Sequence, residues 1–420
     1  MELLWGEDTL NWETVLFVSK MLIRHHESLQ DHYGLRPTRV RHLNRRFMTP
    51  PEGEEYTHSR RSSFVYELHL SRTRKATDPK DRVYSKLGHF SASLLLQNSP
   101  RLDPDYSKSQ GAIYADIAVR ALSGYPTLEL LNAVQHCDGM RCLLIFVTML
   151  NGDTDDKSLP SWVPDWDNDS DSAMRKVMGI RGTWFCAAGI TTPCLSIQDC
   201  DRILEVKGLE VDRIGVSSQE LDDRDFRFTS LRDIRGNDSV VLRLWSEICH
   251  CSTFTLEREH ISGESAVFAF CQTLTAGCMR IISLEDDPRS VYRSTSSDIW
   301  LKHGAAYLAR VIGEPELISE DIREAGKGGD AFAWNGAASM VCRRRSFFRT
   351  AKGYYGLGPS ELEINDVIVV LFGGTTPYIL RQTDQGYYFV GECYVHGLMS
   401  GEAIAMLERG ELKEKTFEIR

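Results

Sequence analysis

The C-terminal part of the chain is a run of short apolar segments broken by glycine turns, and this alternation restricts the fold more than any other feature. "RSFFRTAKGYYGLGP" (345–359), "DVIVVLFGG" (366–374) and "PYILRQTDQGYYFVGECYVHG" (377–397) carry β-branched and aromatic residues in strand-length runs, with turns at Gly373-Gly374 and Asp384-Gln385-Gly386. Strands joined this tightly pair antiparallel, and their outer edge needs a partner. "TWFCAAGITTPCLSIQ" (183–198) and "RILEVKGLEVDRIGVSS" (202–218) alternate apolar and polar residues and supply it. The expected product is a small barrel-like sheet in which strands near 347–395 pair with strands near 183–216, closed by a helix in "SGEAIAMLERGEL" (400–412).

The remaining patterns have the helical period. Residues 10–33 place Trp12, Val15, Leu16, Met21 and Leu22 on one face and stop at Gly34. In "TDPKDRVYSKLG" (77–88), Asp78 suits a cap, Pro79 the first helical position and Asp81 the first turn, with Val83, Tyr84 and Leu87 on one face. Asp81 and Arg82 read there as an ion pair or cap rather than a reactive couple. Ile113, Ile117, Ala121 and Leu122 mark a further helix, and "YPTLELLNAV" (125–134) adds helical material. Between the two strand regions, residues 238–345 turn helical again.

The fold class expected is therefore α+β. A mainly α-helical unit covers 1–165 and a β unit covers 166–420, with a helical insertion at about 238–345. The Pro- and Trp-rich stretch "SLPSWVPDWDNDSD" (158–171) marks the boundary, and residues 35–62 read as an exposed connection.

Charge and cysteine content narrow the partners. A net charge of −10 argues against nucleic acid, whose phosphates are bound by Lys and Arg. The basic clusters "RVRHLNRRF" (39–47) and "CRRRSFFR" (342–349) read as solvated faces. "CLLIFVTML" (142–150) falls well short of the roughly 18 to 20 apolar residues that span a bilayer and reads as core, so no membrane contact is expected. An odd cysteine count of 11 without framework spacing, and a start lacking a secretory pattern, lead to the expectation of a cytoplasmic protein with free thiols.

Motifs for common chemistries are absent. "GKGGD" (326–330) lacks P-loop spacing, "GLGPSE" (356–361) reads as a turn rather than a dinucleotide fingerprint, and "GESAV" (263–267) lacks the last glycine of a nucleophile elbow. "CHC" (249–251) reads as core thiols on a helix, so no metal and no cofactor is expected. What remains is a polar and aromatic set. Strand alternation sends Glu392, Tyr394 and His396 to one face and Cys393 and Val395 to the other. Arg381 lies on the preceding strand, and Trp162, Asp165 and Trp166 stand in "SWVPDW". The row at 392–396 reads either as scaffold or as a pocket lining, and the tryptophans as packing or a cavity roof.

Six blocks occur in order: "ATDPKDRVYSKLG", "PDYSKS", "LPSWVPDW", "FFRTAKGYYGLGP", "DVIVVLFGG" and "YYFVGECYVHGLMSGEA". Together, from about Trp5 to Ala403, they resemble the region downstream of the signature domain in fungal heterokaryon-incompatibility (HET) proteins. The strings of the TIR-like HET domain that usually precedes it do not occur, so the resemblance does not carry over that domain's NAD-cleaving activity. It implies two functions. One is a cofactor-independent cyclase or isomerase of natural-product biosynthesis, a pericyclase of the Diels-Alder type acting on an apolar terpenoid or polyketide. Tyr394, His396 and Arg381 would be its catalytic donors, and Trp162, Trp166 and Glu392 would line its substrate site. The alternative is a non-enzymatic self-recognition module that works through a protein partner.

Overall fold

A computed structural model describes residues 2–5, 8–25, 63–72, 76–89, 91–92, 102–124, 127–136, 159–167, 185–199, 202–226, 239–278 and 297–420. The connection expected at 35–62, the basic cluster 39–47, the core run 142–150 and the end of the helix expected to 33 lie outside these residues.

The N-terminal part is mainly helical. A hairpin of β1 (Glu2–Trp5) and β2 (Asp8–Asn11) leads into α1 (Trp12–His25). Asn11 Oδ1 accepts the Glu13 N–H at 2.8 Å there, which caps the helix. Next come α2 (Phe64–Ser71), α3 (Asp81–Tyr84), α4 (Gln110–Gly124) and a 3₁₀ turn at Glu129–Ala133. In α3, Val83 and Tyr84 are buried, and Asp78 Oδ1 accepts the Lys80 N–H at 2.9 Å, so the proline-containing start is held by an Asx turn. Asp81 and Arg82, read as an ion pair or cap, each have partners elsewhere. Asp81 accepts the Tyr106 hydroxyl at 2.6 Å, while Arg82 bridges Asp167 and the Arg72 carbonyl at 2.8 Å each. Adjacent residues on a helix point about 100° apart and cannot face one another.

The sheet has nine strands among the described residues. In chain order they are β3 (Leu195–Gln198), β4 (Ile203–Ser217), β5 (Arg345–Thr350), β6 (Tyr355–Pro359), β7 (Val367–Leu371), β8 (Tyr378–Thr383), β9 (Gly386–Glu392), β10 (Tyr394–Val395) and β11 (Glu414–Ile419). The hydrogen-bonded path runs β10-β6-β5-β4-β11-β9-β8-β7, and β7 returns to pair with β4. That last pairing closes β4, β11, β9, β8 and β7 into a barrel.

Closure depends on β4, whose 15 residues pair with β11 and β3 near its start, β7 in its middle and β5 at its end. Register shifts at Glu210/Asp212 and Ile214/Val216 bend it from one set of partners to the next. Gly208 sits where a Cβ would come within 2.5 Å of the Val370 carbonyl, so only glycine lets β4 approach β7. The barrel interior holds Leu209, Val211, Ile214, Phe348, Ile368, Val370, Ile379, Val390, Cys393 and Val395. Gly356 lies against that interior, where a Cβ would meet the Phe348 ring at 2.1 Å.

Two helical bodies cover the outside. Val367, Val369, Leu371, Tyr378, Leu380 and Phe389 face α2, α3, α4, Trp162 and Trp166. Helices packed on one face and barrel core on the other leave β7 buried at every residue, which is why it reads as an unbroken apolar run. On β5 and β6, Phe347, Tyr355 and Leu357 face the insertion core of Trp245, Phe254, Phe270, Tyr307 and Trp334. The insertion contains α5 (Val240–Arg243), α6 (Ala266–Leu274), α7 (Ser297–Val311), α8 (Glu320–Ala325) and α9 (Ala331–Cys342). A last helix, α10 (Glu402–Glu408), precedes β11.

Three local expectations are corrected. Among the described residues of 183–198, which start at 185, strand structure is confined to Leu195–Gln198, because the N–H groups of Cys186, Ala187 and Ala188 bond the carbonyls of Met399, Thr375 and Gly374. "GLGPSE" is not a turn throughout, since Tyr355–Pro359 is strand β6. "CHC" is not helical: Cys249 caps a π-helical turn at Leu244–Ile248 and His250 adopts a left-handed φ of 54°, though both thiols are buried.

Candidate functional site

The polar residues at the end of β9 and β10 are positioned by the barrel. Tyr394 pairs with Leu357 of β6, and the His396 N–H bonds the Tyr355 carbonyl at 2.9 Å. Alternation buries Cys393 and Val395 in the barrel, and Tyr394 faces the insertion. Opposite stands a tight loop before α6. The His260 N–H bonds the Glu264 carbonyl at 2.7 Å, Gly263 turns with φ 85°, and Ser265 caps the helix through the Phe268 N–H at 3.2 Å.

These two segments meet in a hydroxyl–imidazole–carboxylate chain. His396 Nε2 lies 2.5 Å from Glu264 Oε2, and its Nδ1 lies 3.3 Å from the Tyr394 hydroxyl. That hydroxyl also contacts Gln272 Oε1 at 3.4 Å. His260 stands beside His396 with ring centroids 5.4 Å apart, its Nδ1 on Ser262 Oγ at 2.8 Å and its Nε2 accepting the Tyr355 N–H at 3.3 Å. Burial, and next the neighbouring His396, push the His260 imidazole down to about 3. The His396 hydrogen bond holds the Glu264 carboxyl below the usual carboxylate range. Glu264 keeps 45% of its side chain exposed, whereas Tyr394 and His396 are buried, so the chain reaches solvent at its carboxylate end.

The other nominated residues lie in separate settings. Arg381 is clamped by Asp366 Oδ1 at 2.9 Å, Asp366 Oδ2 at 3.0 Å, the Glu361 carbonyl at 2.6 Å and Glu363 Oε1 at 2.9 Å. Glu392 forms a buried ion pair with Arg345. The guanidinium donates to Glu392 Oε1 at 3.1 Å and to its carbonyl at 2.8 Å. Burial pushes the Glu392 carboxyl up to about 7 against the opposing pull of Arg345. Trp162 donates Nε1–H to the Arg202 carbonyl at 3.2 Å, and the Arg72 guanidinium lies 4.9 Å over the Trp166 ring. Both indoles are in the core between the N-terminal helices and β7–β9, not beside Tyr394. Asp165 accepts the Asp167 N–H at 3.0 Å. The fold thus joins Tyr394 to His396 and distributes Arg381, Glu392, Trp162 and Trp166 elsewhere.

Sequence reasoning missed Glu264, His260 and Gln272, which no motif links to His396 across more than 120 positions of chain. It also read Arg345 as part of a solvated cluster. Arg343 and Arg344 are exposed, but Arg345 is on a strand and 2% exposed. Among the described residues, no helix is long and apolar enough to cross a membrane.

Residues 324–413 match the Het-6 beta-barrel domain. The C-terminal region therefore carries a match to a Het-6 beta-barrel domain. The barrel of this chain also uses β4 and β11, which lie outside the matched span. The chain is similar to heterokaryon incompatibility protein 6, OR allele, of Neurospora crassa, with 38% identity over 66 residues. That alignment spans 15% of this chain and 10% of the relative's length. No solved structure matches the chain.

Proposed function

We propose that this chain is a non-enzymatic heterokaryon-incompatibility module. In this reading the barrel, braced by helices on two faces, presents a surface to a protein partner during self-recognition in fungal cells. The observation that carries the reading is the barrel match at 324–413. The state of the nominated donors supports it. Arg381 directs Nε and both terminal nitrogens to acidic side chains and a carbonyl, and both ring nitrogens of His396 have partners inside the fold. A donor spent on its own fold has none to offer a substrate carbonyl. The cyclase reading has no such support, because the residues assigned to it occupy separate parts of the core.

The test is genetic. Two fungal strains differing only in the allele of this chain are fused, and the viability of the mixed cells is scored. The module reading predicts loss of viability that follows the barrel and insertion when residues 185–420 are exchanged between alleles. Viable mixed cells in every combination would remove it.

A further inference from the structure

Two buried polar atoms on neighbouring strands have no hydrogen-bond partner among the described residues: Glu392 Oε2 and the Tyr378 hydroxyl. The residues are register partners, Tyr378 on β8 opposite Glu392 on β9, so their side chains leave the sheet on the same side. Tyr378 is 0% exposed and Glu392 1%, so bulk solvent does not serve either atom. An unpaired buried carboxylate oxygen costs more than most packing defects, and here a second orphan of complementary type stands across from it.

We propose that Glu392 Oε2 and the Tyr378 hydroxyl are the walls of an internal hydration site that binds one ordered water. The water donates to Oε2 and accepts from the tyrosine. A direct bond from Tyr378 to Oε2 is not made, and the Arg345 guanidinium reaches Oε1 and the Glu392 carbonyl rather than Oε2. Thr376 stands beside Tyr378, and its hydroxyl donates to Asn132 Oδ1 at 3.2 Å. Two polar partners lie within the range that a buried water ordinarily has. Gly374 borders the hydroxyl, where a Cβ would stand 3.3 Å away. Asn132 belongs to the N-terminal 3₁₀ turn and Arg345 to the strand that follows the insertion, so the site lies where both covering bodies reach the barrel.

The charged and titratable groups facing Glu392 are Arg345, Tyr378 and Cys393, with Glu361 acting on Arg345. Removing the water-holding hydroxyl takes away a donor to the ionised carboxyl and favours its neutral form.

A high-resolution crystal structure of the whole chain, with the isosteric variant Tyr378→Phe beside it, tests the proposal. The parent should show one water within hydrogen-bond distance of both atoms, and the variant should lose it. The midpoint of the Glu392 carboxyl, followed by infrared difference spectroscopy with Glu392→Gln to identify the band, should rise in Tyr378→Phe. A direct Tyr378–Glu392 hydrogen bond in density, or an unchanged midpoint in a folded variant, would overturn it.

Discussion

Replacing Arg345 with methionine keeps most of the aliphatic stem and removes the charge that faces Glu392. The pair has 3% and 1% side-chain exposure, so the stranded carboxylate would have no bulk solvent to turn to. Removing one member of a buried pair costs about 3–5 kcal/mol when the other stays ionised. Glu392 has an escape, which is to take up a proton. Its carboxyl titrates at about 7 with Arg345 in place, against the ordinary 4.5 of a glutamate. A raised native value means that the folded protein holds the proton over a range where the unfolded chain has released it. Stability from this group is thus full below 4.5 and declines as pH rises through the native midpoint, by about 3 kcal/mol in the parent at about 1.36 kcal/mol per pH unit. Without the guanidinium the midpoint moves higher and the decline continues above pH 7. Denaturant unfolding at a series of pH values should therefore show Arg345→Met costing about 1 kcal/mol near pH 5, the size of its lost hydrogen bond to the Glu392 carbonyl. The cost should grow to about 3–5 kcal/mol near pH 9. The double variant Arg345→Met with Glu392→Leu should recover most of the alkaline loss. An equal cost at both pH values, or no recovery in the double variant, would refute the reasoning.

Other predictions follow from single sites. Gly356→Ala drives a methyl into the Phe348 ring and should lower stability by about 1–3 kcal/mol in thermal or denaturant unfolding, with a small Phe348→Leu change relieving part of it. The unfolded chain protonates His260 near 6.5 whereas the folded one resists until about 3, so acid favours unfolding across that window, and His260→Gln should flatten the pH dependence of melting there. In the native protein a thiol reagent should label Cys186 and Cys194 quickly and spare Cys249, Cys271, Cys342 and Cys393, as mass mapping of the labelled peptides will show.

The parts of this architecture that could be read from sequence are those with local causes. β7 announces itself as five successive buried apolar residues, and Gly386 with φ 133° marks the β8–β9 hairpin. α4 shows its buried face through Ile113, Ile117, Ala121 and Leu122. What escaped depends on distant chain. β11 was missed because "EKTFEI" buries only Phe417 and Ile419, and its strand state comes from pairing with β4 some 200 residues earlier. The candidate site was half legible. Alternation along 392–396 put Cys393 and Val395 on one face, which the fold turns into the barrel, yet it gave no hint that Glu392 would find Arg345 while His396 found Glu264. Those partners are fixed by how the insertion packs, which no local pattern records.

The most direct test of the non-enzymatic reading is the fusion assay run with Tyr394→Phe, a variant that removes the one hydroxyl in the buried relay and leaves the ring packed against Phe185. With an unchanged melting temperature, mixed cells carrying this variant should lose viability to the same extent as those carrying the parent allele. Full viability of the mixed cells with the fold intact would show that the hydroxyl does chemistry, and would contradict the account.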